Sequence, residues 1–542
     1  MSVPSQLKYS EALKPVSIPS SQQSRKFTPT SSGPYNTGNN IIRVPLNANA
    51  FIDTRNMVLK FALQQTAATT CYLDGSASSA IQRVEITSPD GQTLSNIDNY
   101  GRLYHALMDV ERGQLNRESV GNLMEGCSTD NLKISLRKTG TAFESQILLN
   151  DNVIDTIVLG TPKSVRVGNF VFSATGVNTA FAISGIITFN NGAAIVGNTA
   201  TLTLGSDMSV VVNGVSFQTR NANAGQLFVD GTAITLTGTA IGAQVFIADV
   251  YREHTALSQS EIFAQNSSKT YAVPLVCPIS NIKTLYPAML VGGQGCVLNI
   301  YLANSNDQVF FSALPATSPV YSITNVEVIA PVINYPDSVV QSLKSAVSQM
   351  GSLNLSAIDY QSFPYPYASA VSALSIPIAV RVRSLKSLIF FFQSNQSNAD
   401  YSIPRTSARE FLNISQWSLK VGTQYFPASP VQFSATNPAE SVVELYKGFS
   451  RLNDIQVGPY LSKDNFYLSQ AFGGLSVYAI DLEALGFGDF LEAGLDTTQG
   501  APQTYLEITL SANTPSAGTA YVYAMYDSTL SILANQNMTM SR

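Results

Sequence analysis

The stretch AIQRVEITSPDGQTLSNIDNYGRLYHALMD, residues 80–109, decides the reading of the chain. Ile81, Val84 and Ile86 are spaced for a half-buried strand. Pro89-Asp90-Gly91 is turn chemistry, because proline presets one φ and glycine accepts a positive one. Tyr100, Leu103, Leu107 and Val110 then share one face of a helix, for which Ser95, Asn96 or Asp98 is the expected cap. The same order returns in ISQWSLKVGTQYFPASPVQFSATNPAESVVELYKGF, residues 414–449. Here Asn437-Pro438-Ala439-Glu440 predicts a cap, a proline at the first helical position and a capping-box glutamate. Val442, Leu445, Tyr446 and Phe449 form the apolar stripe, and Trp417 is expected to pack beneath that helix.

Two more segments echo each other. NMVLKFALQQ (56–65) matches LKSLIFFFQSN (385–395), and the strand, Gly-rich turn and strand that begin at Thr270 match those that begin at Ser476. Three matched features in one order predict a tandem duplication of a β domain. The spacing differs once: 171 positions separate Asn99 from Thr270, but only 39 separate Asn437 from Ser476. The excess, about 130 residues, changes composition to β-branched residues alternating with Thr, Asn and Gly, with Asn-Gly hairpin signals at 190–192 and 213–214. It predicts a β-rich insertion, 113–250, carried on a loop of the first unit. Residues 1–40 lack periodicity and carry Lys8, Lys14, Arg25 and Lys26 against Glu11, which predicts an extended N-terminal arm. The expected organisation is the arm 1–40, a first unit 41–332 holding the insertion 113–250, a linker helix in 333–355 starting after Pro336, and a second unit 356–542. Each unit has about eight short strands with a helix in an equivalent connection, which predicts an all-β chain of two tandem eight-stranded jelly rolls.

Composition narrows the function. Charged residues are 12% of 542, against roughly 25% in ordinary globular proteins. A charge-poor surface is easier to desolvate, which suits large subunit contacts. Net charge is −5 and no Lys/Arg stripe exists to follow a nucleic-acid backbone, so sequence-specific nucleic-acid binding is not expected. Cys71, Cys127, Cys277 and Cys296 are too few and too scattered for a disulfide framework and read as buried thiols. No signal-like segment is seen, and the longest apolar burst, LIFFF at 388–392, falls short of the ~20 residues of a membrane helix.

The chemistry of catalysis is missing from the pattern. The two histidines, His105 and His254, are isolated, and there is no HExxH, GxSxG or phosphate-loop signature. Asp481 with Glu483 and Asp489 with Glu492 pair carboxylates, as a glycosidase would, but at spacings that suit a strand connection and a helix start. Asn266, Asn354 and Asn413 open glycosylation triplets that are expected to stay unused. Catalytic, cofactor-binding and metal-binding residues are therefore expected to be none, and no cofactor is expected. A carbohydrate-binding or adhesin-type β-rich surface protein is the alternative reading of this composition.

With the repeat and phrases such as FGGLSVYAIDLE (472–483) and VRSLKSLIFFFQ (382–393), nearly the whole chain outside the arm and insertion resembles the double jelly-roll major capsid proteins of double-stranded DNA viruses, most of all the Polinton-like and virophage members. The resemblance implies a homotrimer forming a pseudo-hexagonal capsomer in the icosahedral shell of a virion assembled inside the host cell. It implies contacts with neighbouring capsomers and with penton and minor or cement proteins. It places the insertion outward, toward a host receptor or glycan, and the arm inward, near any internal membrane.

Overall fold

The structure is a computed structural model. It describes residues 20–127 and 261–542 apart from short breaks, the longest at 450–460 and 484–493, together with the strands between Leu132 and Asp249. Strands β1 (Ser21–Phe27), β2 (Ile41–Leu46), β3 (Val58–Gln65), β4 (Ile81–Thr87), β5 (Thr93–Asp98), β6 (Ser268–Pro274), β7 (Cys296–Leu302) and β8 (Tyr321–Asn334) build the first unit, with helix α1 (Tyr100–Glu111) after β5. Helix α2 (Asp337–Met350) leads to the second unit. There β9 (Ser352–Tyr367), β10 (Ala373–Pro377), β11 (Leu385–Ser394), β12 (Ile414–Val421), β13 (Gln424–Gln432), β14 (Tyr478–Asp481), β15 (Thr504–Leu510) and β16 (Gly518–Leu533) repeat the plan, with α3 (Ala439–Gly448) after β13.

The pairings settle the topology. The first unit has sheets β1-β8-β3-β6 and β2-β7-β4-β5; the second has β9-β16-β11-β14 and β10-β15-β12-β13, all antiparallel. Counted within each unit, both read 1-8-3-6 and 2-7-4-5, the double Greek key of a jelly roll. The chain is a double jelly roll.

The burst LIFFF now has a physical reason. An antiparallel strand with one wet face alternates, and a strand buried on both faces need not. Phe390 and Phe392 point into the second sandwich with Trp417 and Tyr478, while Ile389 and Phe391 point outward and join the core cluster of the first roll. All of β11 except Ser394 is buried. Its counterpart β3 alternates, with Leu59, Phe61 and Leu63 inside and Val58, Lys60 and Gln64 half-exposed. Trp417 lies beneath α3 as its strand placed it: its Nε1 donates to Ser441 Oγ at 3.4 Å, and its ring meets Phe390 edge-on. At the rim, β13 has a strand neighbour on one side only and carries Pro427 and Pro430.

Several boundaries differ from those the pattern predicts. Part of the segment 1–40 is sheet: Ser21–Phe27 pairs with β8 over seven positions, and Phe27 and Tyr35 are buried. The strand SQQSRKF hid because only Phe27 of it is buried, so it has no apolar period and is held by main-chain pairing. Residues 1–19 lie outside the described residues. The linker is shorter than 333–355, since β8 ends at Asn334, β9 starts at Ser352 and α2 closes on Gly351 at φ +81°. The caps are also different. Asn99, in the left-handed region, precedes α1 without a side-chain cap, and Ser95 is engaged elsewhere. Asn437 lies outside the described residues, and Glu440 accepts the N–H of Gln432 at 3.1 Å.

The composition break at 113 also precedes the end of the first core. Arg117, Glu125 and Cys127 are buried there, and Tyr104 donates to Glu125 at 2.8 Å. Beyond them the strands pair among themselves: Leu132–Thr139 lies between Ala142–Leu149 and Val245–Asp249, so the ends of the segment meet. A short Gly/Ser linker replacing 132–249 is expected to change the unfolding free energy of the remainder by less than about 1 kcal/mol. The same linker replacing 113–250 removes Arg117 and Glu125 and is expected to cost several kcal/mol and the soluble yield. Equal stability of the two proteins by thermal unfolding would contradict this boundary.

Candidate functional site

The part of the molecule richest in buried chemistry is the seam between the rolls. It is built by the loop 74–80 and helix α1 of the first roll, set against β9, β11, β16 and the loop 405–409 of the second. Every residue of α1 from Tyr100 to Val110 is buried. Its apolar stripe faces the first roll, and the side left over, Arg102, His105 and Asp109, is covered by the second.

Asp74 is fully buried, and its carboxylate accepts the backbone N–H groups of Arg405 (2.7 Å), Thr406 (2.7 Å) and Ser407 (3.0 Å) and the Ser407 hydroxyl. Burial pushes this carboxyl above its ordinary range, against the downward pull of those bonds. Close approach is possible because residue 75 is glycine at φ +75°; a Cβ there would sit 2.7 Å from both His105 Cε1 and Ser407 Cβ. His105 Nε2 lies 2.9 Å from Ser79 Oγ, and burial holds the imidazole down to about 3.

One turn further along α1, Asp109 sits between Arg117 and Arg409, each guanidinium bonded to a different carboxylate oxygen and all three side chains buried. Arg409 also donates to the carbonyls of Ser476 (3.0 Å) and Leu475 (2.9 Å) and stacks on Phe391. Burial lowers its affinity for the proton, and Asp109 opposes that. Arg102 donates to Gln393 Oε1 at 2.7 Å and lies over the Tyr521 ring. Toward the other end, Asp359 of β9 accepts from Ser95 and Tyr526, each at 2.8 Å, and Tyr523 donates to the carbonyl of Asn99. Cavities of about 500 and 580 Å³ open at the seam, one beside Arg102, Asp307 and Arg405, the other beside Glu111, Lys386 and Glu483.

This arrangement holds parts together. The carboxylates of Asp74, Asp109 and Asp359 each take at least one donor from the other roll. In the first cavity the Ser305 hydroxyl donates to Asp307, whose carboxylate also pairs with Arg405. Asp481 accepts the N–H of Glu483, and Glu483 pairs with Lys386, so these carboxylates do not face each other across a cleft. Asp489, Glu492 and His254 lie outside the described residues. The four cysteines are buried and free, and burial pushes Cys71 up to about 11 and Cys127 up to about 12. Asn266, Asn354 and Asn413 are exposed. The sequence reading had no reason to choose Asp74, Asp109, Arg117, Asp359 or Arg409. For Asp109 the nearest signal is charge on an otherwise apolar helix; the other four sit in loops, a strand or the turn after α1 in a chain where charge is scarce.

No known family and no curated protein matches the chain. Among solved structures it is similar to the PBCV-1 virus capsid, at 11% identity over 96% of each chain with a TM-score of 0.47. It is similar to a structure of the Sputnik virophage, at 11% identity over 100% of this chain and 92% of that one, TM-score 0.47. It is also similar to the Faustovirus major capsid protein, at 8% identity over 96% and 91%, TM-score 0.48.

Proposed function

We propose that this chain is the major capsid protein of an icosahedral double-stranded DNA virus, a structural subunit and not an enzyme, and that three copies close into a pseudo-hexagonal capsomer. The observation that carries the reading is the duplication joined to its seam. Two rolls with one strand order are locked side by side by buried ion pairs and aromatic contacts, so each chain supplies two adjacent lobes as a unit. Three such units around a closed axis give six lobes, a tile that fills a facet and does not propagate as a filament.

The registers support the orientation. Gln65, Ser268 and Tyr321 share one end of the first roll, the end toward which the 132–249 segment is carried. Ser21 pairs with Asn334 at the opposite end. The segment then faces outward, where a receptor or glycan would meet it, and the residues before Ser21 leave from the inner face, where minor proteins or a membrane would lie. Neighbouring capsomers and penton proteins are the remaining partners.

Light scattering and electron microscopy of the purified protein test this reading. The expected result is a particle of three chains with a six-lobed outline. A natively folded monomer at micromolar concentration would overturn it.

A further inference from the structure

We infer that the outer face of the first roll formed by β1, β8 and β3 is covered in solution by α3 and β13 of a second copy, with Glu440 opposite Lys26 and Lys60. The inference rests on the trimeric reading above and says which surfaces meet in it.

The two rolls treat equivalent faces differently. In the second roll, the outward side of β16 and β11 carries Tyr521, Tyr523, Ile389 and Phe391, and the fifth strand and following helix of the first roll cover it. That contact is made as the chain folds, so the face can be aromatic. In the first roll, the pairs at the same ladder positions are Ala62 with Thr324 and Lys60 with Glu327, with Val58 and Ile329 below them. All but Ala62 are half-exposed, and no part of the described chain packs over them as α1 packs over β11 and β16. Such a face stays soluble in a free chain and still offers area to a partner.

The second roll has the matching surplus. Its fifth strand and following helix, β13 and α3, stand where β5 and α1 stand in the first. Residues 100–110 of α1 are all buried, whereas only Ser441, Leu445 and Gly448 of α3 are. Val443 is 39% exposed and Tyr425 of β13 is 41% exposed. Among the described residues, one roll therefore has a fifth-strand side with no cover, and the other has a sheet face with no cover. Repeating the intrachain contact between copies joins the two.

Charge agrees in sign. Lys26 and Lys60 share the single carboxylate of Glu327, at 3.1 and 3.2 Å, which leaves the first-roll face positive. Helix α3 presents Glu440, which is exposed, while Glu444 is mostly covered and paired with Lys447, so the helix carries a net charge of −1. Opposite potentials across an interface set partner choice and register.

The experiment is charge exchange followed by sedimentation at several concentrations. Glu440→Lys is expected to weaken self-association at least tenfold, and Lys26→Glu with Lys60→Glu to do the same. The protein carrying all three changes is expected to recover to within about threefold of wild type. Far-ultraviolet dichroism and Trp417 emission check that each variant keeps its fold. Variants that trimerise like wild type, or a triple variant that stays weak, overturn this pairing of surfaces and leave the trimer reading intact. A wild-type chain that stays monomeric overturns both.

Discussion

Asp109→Ala is expected to lower the unfolding free energy by about 3–5 kcal/mol, the usual consequence of leaving buried charge without its partner. Two buried guanidiniums bond to this one carboxylate. Arg409 keeps its bonds to the Ser476 and Leu475 carbonyls, and Arg117 loses this ion pair. The loss should appear in urea unfolding followed by Trp417 emission, since that side chain sits in the second core while the mutation is in the first roll. Replacing Asp109, Arg117 and Arg409 together by apolar residues of similar size should restore most of the stability, because a buried ion cluster contributes little net energy once desolvation is counted. A single substitution costing under about 1 kcal/mol would mean that the cluster does not hold the rolls together.

Acid is expected to loosen the same seam through His105. Its folded value, about 3, lies below the ordinary 6.5, so the folded protein holds the neutral ring and the unfolded chain takes up the proton first. The stability this group contributes is therefore complete above pH 6.5 and is lost as pH falls toward 3. The slope approaches about 1.4 kcal/mol per pH unit, or roughly 3 kcal/mol two units below the unfolded value. Asp74 and Asp359 act in the opposite sense: burial raises both, so each favours the folded state as pH falls toward the ordinary carboxylate value. The informative quantity is the difference between wild type and His105→Gln, in which the carboxylate terms cancel. The variant should lose stability less steeply between pH 6.5 and 4.5. Parallel curves would rule out His105 as the titrating group.

What could be read from sequence was whatever is encoded locally. The period of two, the turn at Pro89-Asp90-Gly91 and the stripe on each helix depend on neighbours a few residues away, and they were enough for the duplicated fold. The seam depends on pairs such as Ser95 with Asp359, 264 positions apart, and Ser407 with Asp74, 333 apart. No window along the chain contains both partners. Strand β1 was missed for a related reason: its order comes from the main chain of β8, and main-chain pairing leaves no mark on side-chain type. The insertion boundary failed because composition changes where exposure begins, while Arg117 and Glu125 are polar residues that the core still needs.

The prolines of β13 have one more consequence. A proline has no N–H to donate, so the rim of this sheet cannot accept a further strand in continuous register. At this rim, another copy can then meet the sheet only through side chains, not by adding a strand to it. In the shell proposed above, joints of that kind would break and reform while every subunit stays folded, so a growing lattice would expel a wrongly seated piece and a finished one would come apart without denaturing its parts.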